Sequence, residues 1–303
     1  MERLGSTVPV TISRVQDGFL TAKADVLATE EPLEIRLELR AGNLAVSRSI
    51  AVTMRTPGND FELAAGFLFT EGIVREPEAI ASLTYCVDGK EEQQYNVVKV
   101  TLRPWVRVEL ERLQRNFAIT SSCGVCGKAK LEAVRVHLPQ PPGGQGLRVS
   151  ARVIAALPDA LREQQALFQR TGGLHAAWLC DPDGALRSAR EDVGRHNALD
   201  KLLGEQFLAR RIPLANKVLV LSGRASFEMV QKAAMAGVPV VVAVGAPSSL
   251  AVDLARELGM TLVGFTRKES FNIYSGMERV RIPSQHGSRQ QETPEKETAR
   301  CPQ

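Results

Sequence analysis

The sequence predicts a mixed α/β protein: a smaller β-rich N-terminal unit with one helix, then a three-layer α/β domain. Three observations predict it. Residues 33–39, 44–54 and 95–102 mix apolar and polar positions in the manner of strands covered on one face. From residue 150 onward helical and strand patterns alternate, the succession that builds layered α/β domains. Within that half, Val218-Leu219-Val220-Leu221 and Val240-Val241-Val242-Ala243-Val244 are continuously apolar, as strands covered on both faces require. Right-handed crossovers between them predict a largely parallel sheet.

In chain order, the first helix opens at Asn59, with Glu62 placed to complete a capping box. Phe61, Ala64, Ala65 and Leu68 share one face of it, and Gly72 ends it. Residues 90–94 are charged and polar and predict an exposed turn. The β-rich unit is expected to span residues 1–111. Residues 112–149 form a connector, because periodic signals fade there and 139–146 is rich in Pro and Gly. The α/β domain is expected over 150–282. It begins with an amphipathic stretch to about residue 170, interrupted near Pro158. Strands follow at 175–180 and 185–189 around the turn Asp181-Pro182-Asp183-Gly184, then a helix at 193–208 and a strand at 217–221. A helix at 227–236, a strand at 238–244, a helix at 248–258 and a strand at 261–265 complete it. The tail, 283–303, holds almost nothing apolar and is expected to be disordered.

The net charge of +4 comes from 38 basic and 34 acidic residues, a slight excess spread along the chain. It gives no case for nucleic acid and a weak one for anionic ligands or acidic partners. No stretch approaches the roughly 18 apolar residues of a membrane span, so a soluble cytoplasmic protein is expected. Five cysteines, at 86, 123, 126, 180 and 301, are too few and irregular for a disulfide framework, which favours a reducing compartment.

The close pair, Cys123-Gly124-Val125-Cys126, is the most informative segment. Glycines at 124 and 127 leave the backbone open, and Lys128 and Lys130 supply positive charge that favours a thiolate. Half a zinc site, redox or sulfur chemistry, and an inert pair all fit these residues. Zinc needs four donors, and no second cysteine pair exists: Cys86, Cys180, His137, His175 and His196 are scattered.

Three further segments fall at strand ends, where open α/β sheets bind ligands. Phe265-Thr266-Arg267-Lys268-Glu269-Ser270, within a loop expected over 265–274, offers phosphate contacts. Ser222-Gly223-Arg224-Ala225-Ser226 lies between a strand and a helix, with Arg224 its charge. Glu191-Asp192-Val193-Gly194-Arg195-His196-Asn197 does the same, with Asp192 as the expected cap and Arg195 and His196 as polar candidates. A solvated turn or ordinary capping accounts for each segment alone; their shared placement favours one crevice.

Four ordered segments carry a resemblance over nearly the whole chain to residue 282. They are Thr-Pro-Gly-Asn-Asp-Phe-Glu-Leu-Ala-Ala-Gly-Phe-Leu at 56–68, Ser-Ser-Cys-Gly-Val-Cys-Gly at 121–127, Glu-Asp-Val-Gly-Arg-His-Asn-Ala-Leu-Asp-Lys at 191–201, and Gly-Phe-Thr-Arg at 264–267 followed by Phe-Asn-Ile-Tyr at 271–274. The chain resembles the formate dehydrogenase accessory sulfur carrier family, FdhD. The resemblance implies a cytidine deaminase-like larger domain and a homodimer. It also implies that a cysteine desulfurase loads sulfur onto Cys123 as a persulfide, with Cys126 its companion. That sulfur would pass to the molybdenum of a bis(molybdopterin guanine dinucleotide) cofactor bound as cargo, before insertion into the formate dehydrogenase catalytic subunit. Residues 265–270 match the family's cofactor-binding segment, and Arg224 and Arg195 are further candidates for the phosphates. No resident metal is expected. A non-catalytic cofactor chaperone with a structural or zinc-binding cysteine pair is the alternative. The residues argue against a zinc deaminase, because no histidine is followed two residues later by glutamate and Ser122 stands where that signature needs proline.

Overall fold

The computed structural model describes residues 5–41, 44–86, 95–108 and 146–283. The predicted turn at 90–94, the connector up to residue 145 with Cys123 and Cys126, and the tail from Ser284 lie outside the described residues.

The chain opens with a hairpin, β1 (Thr7–Gln16) and β2 (Phe19–Ala28), which the sequence reading did not single out. Its two-residue loop, Asp17-Gly18, has both φ angles positive, at 53° and 83°, the backbone that twists two strands into register. Next come β3 (Glu31–Ala41), β4 (Leu44–Arg55), helix α1 (Asp60–Thr70), β5 (Ile80–Tyr85) and β6 (Val97–Leu102). The four strands form one sheet in the order β4-β3-β6-β5. Leu33, Ile35 and Leu37 alternate into its buried face, as do Val98, Val100 and Leu102.

The second part starts with β7 (Val149–Ser150) and helices α2 (Ala151–Arg162) and α3 (Ala166–Thr171). Pro158 lies inside α2, so the expected interruption falls at 163–165 instead. Then follow β8 (His175–Cys180), β9 (Leu186–Asp192), α4 (Arg195–Leu208), β10 (Val218–Leu221) and α5 (Phe227–Met235). The series closes with β11 (Val240–Ala243), α6 (Ser249–Glu257), β12 (Thr261–Arg267), β13 (Ser270–Ser275) and β14 (Val280–Arg281), which pairs with β7. The main sheet has the order β13-β12-β11-β10-β8-β9.

Two expectations are corrected here. The sheet is mixed: β10, β11 and β12 are parallel, but β8, β9 and β13 join through antiparallel pairings. The reason is connection length, since β8–β9 and β12–β13 are joined by short turns that only antiparallel neighbours allow. For the same reason 265–274 is not a loop. Strand β12 runs on to Arg267, turns at Lys268-Glu269, and returns as β13 with Phe271 and Ile273 packed on the core.

Alternate residues of the main sheet feed two cores. Val218, Val220, Val240, Val242 and Trp178 meet Ile154, Leu157 and Leu161 of α2 on one face. Leu219, Leu221, Val241 and Leu262 meet α4, α5 and α6 on the other. That second core continues through α1 to Leu33, Ile35 and Val98, so the N-terminal sheet and the α/β part share it.

Candidate functional site

The site is positioned by the seam between α1 and α4. A Cβ on Gly66 would lie 1.8 Å from the Asp200 carbonyl oxygen, and one on Gly204 would lie 1.9 Å from that of Glu62. The helices therefore cross backbone on backbone, which only glycine permits. Around this crossing every buried charge is paired. Arg55 binds Asp60 at 3.2 Å and reaches Glu31 at 3.3 Å. Lys232 Nζ donates to Thr70 Oγ1 at 2.8 Å and to Glu71 and Asp200 at 3.0 Å. Burial pushes Asp200's carboxyl up and would push Lys232's ammonium down, but Asp200 and Glu71 hold Lys232 well above the ordinary lysine value, so the site is an ion pair.

Asp192 ties the seam to the start of α4. One carboxylate oxygen accepts from the backbone N–H of Gly194 at 2.8 Å and from Asn197 Nδ2 at 3.1 Å. The other accepts from Thr56 N at 3.1 Å and sits 2.6 Å from Lys201 Nζ. Asp192 is thus a buried bridge to β4's exit and not the helix cap, which is Gly194. The capping box expected at α1 is also absent. Asn59 sits in the left-handed region at φ 56° with no side-chain cap bond, and Glu62 instead holds Arg190 at 2.6 and 2.9 Å. A bidentate arginine contact outcompetes a local cap for that carboxylate.

This seam delivers Arg195 and His196 to one edge of the main sheet. The same edge collects the carboxyl ends of β9, β10, β11 and β12 and the amino end of β8, because β8 runs antiparallel to β10 and β9 to β8. Three loops there are laced into one floor. Gly245 N donates to Gly223 O at 2.9 Å, Ala225 N to Ala246 O at 3.2 Å, and Phe265 N to Gly245 O at 3.1 Å. Gly245 is needed for this contact, since a Cβ there would come within 3.0 Å of the Gly223 and Arg224 backbone.

On this edge Arg267, Lys268, Glu269 and Ser270 are exposed, and Phe265 is 42% exposed at φ 52°. Thr266 turns inward and donates to Ala243 O at 2.9 Å, so its hydroxyl is committed to the fold. Lys268 reaches Asp159 only at 3.8 Å. Arg224 is exposed beside the floor, and Arg195 is half-buried, with its Nε buried and unpartnered among the described residues. The structure therefore brings Arg195, Arg224 and Arg267 to one edge, at the ends of β9, β10 and β12.

Sequence reasoning named His175 only as a scattered zinc donor and did not name Glu228, yet both lie at this edge. His175 opens β8 opposite Asp192, with its Nδ1 3.4 Å from where a Cβ on Gly223 would sit. Burial, then Arg195 and His196, push its pKa below the ordinary histidine value, so the ring is neutral near pH 7. Glu228, in the first turn of α5, places Oε2 2.7 Å from His196 Nε2. No spacing rule links residues 175, 196 and 228; only the strand order does.

Of the two described cysteines, Cys180 is buried in β8 and its thiol is pushed up to about 12 by burial, then by Asp181, which leaves it unreactive. Cys86 is a half-buried free thiol at the end of β5. Among the described residues no group of three or more His, Cys, Asp or Glu side chains is placed to hold a metal ion. No helix among them is long and apolar enough to cross a membrane.

Comparison with known proteins shows the family of the chain. Residues 28–281 match the FdhD/NarQ family. The chain is 51% identical over 276 residues to the sulfur carrier protein FdhD of Streptomyces coelicolor, covering 89% of this chain and 94% of that one. It is 50% identical over 263 residues to the protein of the same name from Mycobacterium tuberculosis, covering 85% and 92%. A crystal structure of a putative formate dehydrogenase accessory protein from Desulfotalea psychrophila superposes with a TM-score of 0.68 at 26% identity, covering 91% of this chain and 99% of that one.

Proposed function

Because this chain belongs to the FdhD/NarQ family, we propose that it is a sulfur carrier that serves formate dehydrogenase. It accepts sulfur from a cysteine desulfurase as a persulfide on Cys123 and passes it to the molybdenum of bis(molybdopterin guanine dinucleotide), before that cofactor enters the dehydrogenase. The observation that carries the reading is the 51% identity to a protein named as a sulfur carrier, over 89% of this chain.

The chemistry of loading is thiol exchange. The Cys123 thiolate attacks the outer sulfur of the desulfurase persulfide, a new S–S bond forms, and the desulfurase cysteine leaves as its thiolate. Cys123 suits this step by its flanking glycines and the lysines at 128 and 130, which favour a thiolate. Cys180 does not, being buried and protonated.

Binding of the cargo is assigned to the edge described above. A bis-dinucleotide cofactor is large and carries several phosphates, and it needs dispersed cations on a rigid floor. Arg267 and Lys268 at the β12–β13 turn, Arg224 after β10 and Arg195 at α4 meet that need, while exposed Phe265 offers a face for a flat ring.

Intact-protein mass spectrometry with peptide mapping, after incubation with a cysteine desulfurase and cysteine, tests the reading. A reducible added sulfur on the Cys123 peptide, lost in Cys123→Ala, is the expected result. No added sulfur, under conditions that load a known acceptor, overturns it in favour of a cofactor chaperone whose cysteine pair is structural or binds zinc.

A further inference from the structure

We infer that Arg195, His196 and His175 form an oxyanion subsite for a phosphate or diphosphate group, and that Glu228 occupies it as an internal stand-in until the ligand's anion displaces it. The inference rests on the proposal that this edge holds a phosphate-bearing cargo, and it names a part of that edge and its gating group.

The geometry has three parts. First, cationic and polar side chains converge here. The Nε of Arg195 is buried with no hydrogen-bond partner among the described residues, and Arg195 lies within electrostatic reach of both His175 and Glu228. Second, the acids nearest this corner are otherwise engaged. Asp192 is held by Gly194, Asn197, Thr56 and Lys201, and Lys232 behind α5 is committed to Asp200 and Glu71. Glu228 contacts His196 and lies within electrostatic reach of Arg195 and Lys232. Third, the His196–Glu228 contact is open to solvent: it lies at 2.7 Å, and the Glu228 side chain is 59% exposed in the first turn of α5. Contact with His196 holds Glu228's carboxyl below its ordinary value, so it is ionised near pH 7 and competes as an anion.

A carboxylate parked on a histidine beside an arginine whose Nε lacks a partner marks where a ligand oxyanion has favourable electrostatics. A phosphate, with more charge and more acceptor oxygens than a carboxylate, can engage Arg195 and His196 together and draw a proton onto His175. Arg224 stands exposed on the loop that leads into α5. The β12 arginine, Arg267, is three strands away from β8, roughly 14 Å at about 4.8 Å per strand. One phosphate cannot span that distance, so the corner and the β12 turn are separate anchoring points.

The test uses inorganic pyrophosphate and the full chain, with the imidazole resonances of His175 and His196 followed by NMR and total binding followed by calorimetry. The expected result is saturable shifts of both imidazoles in wild type, reached at about three- to ten-fold lower pyrophosphate in Glu228→Gln, with that gain abolished by His196→Gln. Glu228→Ala serves as a second removal of the charge should the glutamine variant fold poorly. Unchanged or weakened binding in both Glu228 variants overturns the inference. If the two imidazoles stay silent while calorimetry detects binding that Arg267→Ala removes, the inference falls but the crevice reading stands. Absence of pyrophosphate binding by every variant overturns both.

Discussion

The α1–α4 seam and the strand-end edge of the main sheet meet along α4, and they treat charge in opposite ways. In the seam Arg55, Asp192, Lys201, Asp200 and Lys232 are buried and each is matched by a partner of opposite sign. At that edge Arg195, Arg224 and Arg267 make no ion pair of 4.0 Å or less among the described residues. A buried charge is tolerated only when paired, whereas an unpaired cation at a sheet edge costs little in water and is available to a ligand. The difference gives the seam a role in stability and is the basis for proposing recognition at the edge.

The comparison can be broken most severely at the glycine crossing. Gly66→Ala places a methyl 1.8 Å from a backbone oxygen, and neither helix can yield without moving the other. We expect destabilisation at or beyond the top of the ~1–3 kcal/mol range for overpacking, read as a large drop in Tm. Loss of the Lys232 ammonium comes next. Lys232→Met leaves Asp200 buried and uncompensated, at a cost of about 3–5 kcal/mol measured by urea unfolding. Replacing both, with Asp200→Leu, should recover most of that loss if the seam is a structural pairing.

The strand-end edge should respond in ligand binding instead of stability. Arg267→Ala should leave Tm within about 0.5 kcal/mol of wild type in stability terms while weakening binding of the guanine dinucleotide cofactor about ten-fold, the equivalent of one charge-assisted contact. A large fall in Tm for this variant would show that Arg267 belongs to the fold.

Much of this division was legible in the sequence, for reasons tied to range. The runs at 218–221 and 240–244 report burial on both faces directly, and β10 and β11 lie there. Gly72, predicted to end α1, has φ 71° just past the helix. Hairpin β1–β2 carried its signal in Asp17-Gly18, but its strands are exposed on both faces, with Arg14, Lys23 and Asp25 among the apolar residues, so no clean alternation marks them. Strand β13 was masked by polar Asn272 and Ser275 although Phe271 and Ile273 alternate inward. Glu62 shows the limit most clearly: its local role as a cap was written in the sequence, while its actual partner, Arg190, is 128 positions away. The crevice repeats that lesson. Arg195, Arg224 and Arg267 were each recognisable at a strand end, but the approach of Glu228 to His196 depends on the packing of α4 beside α5 and has no sequence signature.

The most direct test of the account follows sulfur itself. The full chain, loaded with radioactive sulfur by a cysteine desulfurase, is purified and mixed with bis(molybdopterin guanine dinucleotide) and the formate dehydrogenase apoprotein, and label in the recovered dehydrogenase is counted. The account predicts that label appears there with wild type, is absent with Cys123→Ala, and is strongly reduced with Arg267→Ala although that protein loads normally. Equal activation of the dehydrogenase by Cys123→Ala, with no label transferred, would contradict it.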